Sequence, residues 1–153
     1  MIAAIYAVIT LILAPIGYLG VQFRISEVLV LLAFFDPFYV VGLTLGCFIA
    51  NILGPNGLVD VILGTFATFI AVSFIAYTGK RFNKSTKGLI IASLWPVIVN
   101  GIIIGWELNT FFGYPLILSI IQVAFGEFVV VTILGVTVFS ALGSKVKFFR
   151  RTT

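Results

Sequence analysis

Four carboxylates, Glu27, Asp60, Glu107 and Glu127, lie in or at the edges of long apolar runs in a 153-residue chain that is 61% hydrophobic and 9% charged. A charge at the centre of a membrane helix costs about 2.5 to 3.5 kcal/mol even on insertion scales, so residues of this kind face a partner, a cavity or a ligand. Amides and one cation accompany them: Arg24 with Glu27, Asn51, Asn56 with Asp60, Asn100 with Glu107, and Gln122 with Glu127. Carboxylates and amides side by side accept and donate hydrogen bonds in fixed directions, which is the chemistry of recognising a polar small molecule. They specify no reaction. The chain has no histidine, no G-x-S-x-G and no clustered metal-ligand motif, so histidine acid/base catalysis, the common metal sites and an intramembrane enzyme are poorly supported. Cys47 is the single cysteine; it permits no intrachain disulfide and reads as a small packing residue.

The elements that must position these groups follow from the apolar runs. A spanning helix takes about 20 apolar residues, so a chain of this length holds at most roughly seven spans and no soluble domain beside them. One integral membrane domain, 1–153, is the expectation, all-α. Breakers divide the runs into six segments, 2–20, 25–35, 38–53, 58–79, 88–107 and 115–143, with Pro37, Pro55 and Pro115 at three of the joints. Segments two and three are short. Fusing them across Asp36 and Pro37 would leave five spans, with the termini on opposite sides. The first run has no basic leader or A-x-A site, so it reads as a retained helix rather than a cleaved signal.

Charge decides the count. Lys80, Arg81, Lys84 and Lys87 follow segment four, and Lys145, Lys147, Arg150 and Arg151 follow segment six. Positive clusters stay in the cytoplasm. Two crossings separate these clusters, so six spans place both termini inside and the joints 21–25, 54–57 and 108–114 outside. Glu27, Asp60 and Glu107 then belong to the outer side, with Glu127 the deepest, near the middle of the membrane. Asn100 and Glu107, two turns apart, share a face with Ile103; Asp60, Gly64 and Thr68 form a second row, and Ser119, Val123 and Glu127 a third. At 1.5 Å per residue Glu127 sits roughly 18 Å into a core about 30 Å thick. The rows predict one water-accessible pocket open to the outside.

Plainer roles compete for several of these residues. Arg24 and Glu27 fit an interfacial i, i+3 ion pair, Asp60 a negative charge in a first helical turn, and Glu107 a headgroup contact. Trp106, beside Glu107 and ahead of Phe111 and Phe112, fits either a stacking platform or an interfacial belt. Gly42, Gly46 and Ala50, and likewise Gly101 and Gly105, repeat every four residues and predict close internal helix crossings. Ala3 and Ala7 form a similar pair, placed where a helix of another chain could dock.

Three stretches, Gln22-Phe-Arg-Ile-Ser-Glu-Val-Leu29, Gly42-Leu-Thr-Leu-Gly-Cys-Phe-Ile-Ala-Asn51 and Asp60-Val-Ile-Leu-Gly-Thr-Phe-Ala-Thr68, continued by Trp106-Glu107-Leu108 and Gly126-Glu127, resemble the QueT family. Its members are the substrate-binding S components of energy-coupling-factor (ECF) transporters for queuosine precursors. The resemblance implies a six-helix S component in the bacterial cell membrane, both termini cytoplasmic, with a site near the outer surface. It also implies an Ala-xxx-Ala surface on the first helix, here Ala3 and Ala7, that docks on a transmembrane coupling protein. Two separate ATPase subunits would use the ATP, since this chain has no G-x-x-x-x-G-K-[ST] loop and needs no cofactor of its own. The loaded component would then topple to release its ligand inside.

Queuosine precursors are flat 7-deazaguanines, some with a cationic aminomethyl arm. The expected roles are Glu127 or Glu107 on the ring edge, Asp60 or Glu27 on the arm, Asn100, Asn51 and Gln122 on the remaining polar atoms, and Trp106 for stacking. Arg24 completes the expected site. Two other readings stay open on sequence: an S component for another vitamin-like heterocycle such as a pterin, a flavin or a thiamine-like molecule, and a stand-alone ion-coupled carrier with Glu127 as its ion site.

Overall fold

The computed structural model describes residues 1–17 and 23–145, all of the regular structure helical. Gln22 and the basic residues Lys147, Arg150 and Arg151 lie outside the described residues. Six helices follow one another. Helix α1 is Ile2–Ile12, with one further turn at Ala14–Gly17; α2 is a tight 3₁₀ coil over Ile25–Leu31 that relaxes to α-helix over Leu32–Phe35; α3 is Tyr39–Ile52 and α4 Gly57–Arg81. Helix α5 is Thr86–Phe112, and α6 runs through Leu116–Glu127, a π-helical stretch Phe128–Gly135 and Val136–Lys145. Three of the six, α4, α5 and α6 over Leu116–Leu142, are long and apolar enough to cross a membrane, whereas α1, α2 and α3 are shorter apolar helices.

Each joint has a local cause. Asp36 turns extended (φ −144°, ψ 118°) ahead of Pro37, as the pyrrolidine ring requires, and its Oδ1 accepts the Phe38 N–H at 2.9 Å. Helices α2 and α3 are therefore two helices rather than one fused across Asp36 and Pro37. Between α4 and α5 the chain passes through left-handed Asn83 and Lys84, and the Ser85 hydroxyl then accepts the Gly88 N–H at 3.2 Å to cap α5. Gly113, at φ 73°, ends α5 in a left-handed turn in which the Tyr114 N–H reaches back to the Leu108 carbonyl, and Pro115 begins α6.

Packing follows sequence neighbours: α5 lies between α4 and α6, and α3 lies between α1 and α4. Small residues set the distances. A Cβ built on Gly46 would stand 2.9 Å from the Ala3 carbonyl and 2.8 Å from the Tyr6 Cβ, and one on Gly105 would stand 2.7 Å from the Ile120 Cα. The expected internal crossings at these glycines are present. The same crossing uses the expected docking pair, since Ala3 lies against Gly46 of α3 and Ala7 is buried in the core. Ala4, Ile5, Val8 and Ile12 face outward instead.

At one end of the bundle the Gly79 backbone of α4 meets the Phe34 carbonyl of α2, which brings the ends of these two helices together. Asp60 begins α4 at the opposite end. Large apolar side chains such as Ile62, Phe66, Phe69, Ile98 and Ile102 cover the outside, a surface that suits hydrocarbon as solvent.

Candidate functional site

Arg24, Glu27, Asn51, Asp60, Asn100, Glu107 and Glu127 are all buried, none more than 6% exposed. They come from the start of α2 and from α3, α4, α5 and α6. Asp60, Gly64 and Thr68 turn inward as one row, as do Asn100 with Glu107 and Ser119 with Val123 and Glu127, since residues four or seven apart share a helix face.

Arg24 is the one buried cation among the described residues. Its Nη2 donates to Asp60 Oδ2 at 2.9 Å, joining the start of α2 to the first turn of α4. Asn56 Nδ2 donates to the same oxygen at 3.3 Å, and Asn51 Nδ2 donates to the Asp60 backbone carbonyl at 3.0 Å. Gly64 leaves the space this arrangement uses: a Cβ there would lie 2.5 Å from Asp60 Oδ1 and 2.7 Å from Asn51 Nδ2. Behind Asn51, the Cys47 thiol receives its second N–H at 3.4 Å and pairs with the Thr68 hydroxyl at 3.2 Å. The single cysteine is buried, as expected of a packing residue, but it also backs the site amide.

Deeper in the bundle, the Asn100 amide donates to Glu127 Oε1 at 2.7 Å, joining α5 to α6. Glu27 accepts a hydrogen bond from the Tyr6 hydroxyl of α1, and one turn along α1 Thr10 meets Ser26 at 2.6 Å. The 3₁₀ coil of α2 packs on the π-helical stretch that starts immediately after Glu127. The cluster is electrostatically continuous: Glu27, Glu107 and Glu127 all feel the charge of Arg24, Glu107 that of Asp60, and Glu127 that of Glu27.

The expected convergence of carboxylates and amides is therefore present. These side chains are enclosed, and Arg24 takes Asp60 as partner across 36 residues of sequence, beyond any interfacial pairing with Glu27. Trp106 stands apart from this cluster: it is 47% exposed on another face of α5, set edge-on to Phe111, where with Leu63, Phe66, Ile102 and Ile103 it lines an apolar groove of about 260 Å³. One residue along a helix is a rotation of about 100°, so the neighbour of an inward glutamate points elsewhere. Gln122 is half-buried next to the Val123 row. Tyr6, Thr10, Ser26 and Thr68 join the network beyond the expected set. Tyr6 and Thr10, one turn apart on an otherwise apolar α1, were the available signal for the first two.

Five oxygens in this cluster accept no hydrogen bond from the described residues although they are buried: Asn51 Oδ1, Asp60 Oδ1, Asn100 Oδ1, Glu107 Oε2 and Glu127 Oε2. All five are acceptors. A buried acceptor left unpaired costs about 1 to 3 kcal/mol, so the cluster is built to receive donors. Among the described residues, no three Cys, Asp or Glu side chains are gathered as metal ligands would be.

Comparison with known proteins agrees with a binding role. No solved structure matches the chain. A curated relative from Lactococcus lactis subsp. cremoris (strain MG1363), named queuosine precursor transporter QueT, is 30% identical over 158 aligned residues that cover 97% of this chain and 92% of the relative. The family described as QueT transporter matches residues 1–144, so the inward-facing acceptors belong to a transporter rather than an enzyme, and the chain is a member of the QueT transporter family.

Proposed function

We propose that the chain is the substrate-binding S component of an ECF-type importer, and that it captures a queuosine precursor from outside the bacterial cell. The observation that carries this reading is the set of five unpaired acceptors contributed by α3, α4, α5 and α6. A 7-deazaguanine is planar and rich in N–H groups, and its guanine-like edge presents adjacent donors that a carboxylate accepts in pairs. The name of the Lactococcus relative supports the same cargo.

In this reading the six helices cross the membrane with both termini in the cytoplasm. The Lys80, Arg81, Lys84 and Lys87 end is the inner end, and the end where Asp60 begins α4 faces out. A transmembrane coupling protein and two ATPase subunits are separate partners that use ATP, and this chain carries no cofactor. The outward face of α1, Ala4, Ile5, Val8 and Ile12, docks on the coupling protein. The enclosed site opens to admit the ligand, and toppling of the loaded chain releases it inside.

The test is a thermal-shift panel on the detergent-solubilised chain, with mass spectrometry of any co-purifying small molecule, because a bound ligand raises the melting temperature by mass action. A 7-deazaguanine should stabilise the chain at micromolar concentration while a pterin, riboflavin and thiamine do not. Stabilisation by one of those three alone would replace the cargo. Ligand uptake by liposomes holding this chain without ATPases, driven by an ion gradient, would replace the mechanism.

A further inference from the structure

Charge is distributed unevenly along the buried cluster. At the Asp60 end the carboxylate is already matched by Arg24 at 2.9 Å, so Asp60 Oδ1 and Asn51 Oδ1 are acceptors beside a neutralised pair. The buried cluster holds four carboxylates, Glu27, Asp60, Glu107 and Glu127, and among the described residues one buried cation, Arg24, whose ion pair is with Asp60; the coil that carries Glu27 packs on the π-helical stretch that Glu127 directly precedes. Tyr6 and Asn100 donate to Glu27 and Glu127, but both donors are neutral. Glu127 keeps Oε2 unpaired, and Asn100, its amide nitrogen fixed on Glu127, keeps Oδ1 unpaired; both residues are 4% exposed.

The geometry points to a subsite for a protonated primary amine at Glu127, Asn100 and Glu27, with the uncharged ring edge of the ligand at Asp60 and Asn51. This deepens the queuosine-precursor reading and rests on it. An ammonium carries three N–H donors, which meets Glu127 Oε2, Asn100 Oδ1 and the Glu27 carboxylate. Its charge offsets the excess of carboxylates over cations in a medium that screens them poorly. A neutral arm does neither. Of the sequence-based roles, Glu127 or Glu107 on the ring edge and Asp60 or Glu27 on the arm, this proposal keeps Glu27 on the arm and exchanges Glu127 with Asp60, because the Arg24 pairing that neutralises Asp60 arises only from the fold.

The experiment uses two 7-deazaguanines that differ only at the arm, one aminomethyl and cationic, one cyano and neutral, titrated calorimetrically into the solubilised chain at pH 7. The amine should bind at least tenfold more tightly than the nitrile. Glu127→Gln should weaken the amine at least tenfold and leave the nitrile within threefold. Equal binding of the two by the wild-type chain, which needs no variant to fold, overturns the subsite and leaves the cargo class standing. Equal weakening of both by Glu127→Gln overturns it too. Binding of neither removes the queuosine-precursor reading and the subsite together.

Discussion

Removing Arg24 tests whether the site is held by a buried ion pair. At 2.9 Å, with an effective dielectric constant of about 20, the Arg24–Asp60 attraction is about 6 kcal/mol before desolvation of the two ions is subtracted. That subtraction is several kcal/mol per ion, so the pair adds little net stability, yet breaking it from one side costs about 3 to 5 kcal/mol because an uncompensated charge stays behind. Arg24→Met should reach that range, because it leaves the Asp60 carboxylate buried without its cation. Asp60→Asn should cost less, about 1 to 3 kcal/mol, because the charges of Glu27, Glu107 and Glu127 still act on Arg24. The double variant should fall short of the sum by about 2 kcal/mol, well outside the roughly 0.5 kcal/mol within which independent sites add. Reversible unfolding in mixed micelles, followed by far-ultraviolet circular dichroism, measures all three. Additivity within that margin would show the two charges to be solvated separately and would refute the buried-pair argument.

Gly64→Ala places a methyl 2.5 Å from Asp60 Oδ1 and 2.7 Å from Asn51 Nδ2. Overpacking of about 1 to 3 kcal/mol is partly offset by a helix-propensity gain of about 1 kcal/mol, so unfolding should change modestly while precursor affinity falls at least tenfold; unchanged affinity by calorimetry would show that Asp60 and Asn51 do not hold the ligand. Trp106→Phe should leave affinity within twofold, and in a Trp95→Phe background the remaining indole should be quenched strongly by bromine-labelled lipid. A tenfold affinity loss on Trp106→Phe would restore it as a stacking platform.

Much of the architecture was legible in the chain itself. Apolar runs interrupted by Pro37, Pro55 and Pro115 placed six helices within a few residues of their observed bounds, apart from the end of the first, expected at residue 20, which lies outside the described residues. Proline and left-handed glycine act locally, so their effect needs no knowledge of the fold. Periodicity likewise placed Asn100 with Glu107, and Asp60 with Gly64 and Thr68, on inward faces. The 3₁₀ coil of α2 and the π-helical stretch after Glu127 left no comparable trace, because both depend on how neighbouring helices press on these segments.

Composition and spacing by themselves determined that this is an apolar helical chain with carboxylates and amides too costly to leave in lipid, and that they must meet. Which group meets which was decided only by tertiary structure. Arg24 reaches Asp60, Tyr6 supplies the donor for Glu27, Asn100 holds Glu127, and Ala3 lies against Gly46 of α3. The reason is physical: a pattern along one helix defines a face, whereas the partner of that face is set by the crossing of a second helix distant in sequence, and hydrogen bonds and ion pairs depend on that crossing to within a few tenths of an ångström.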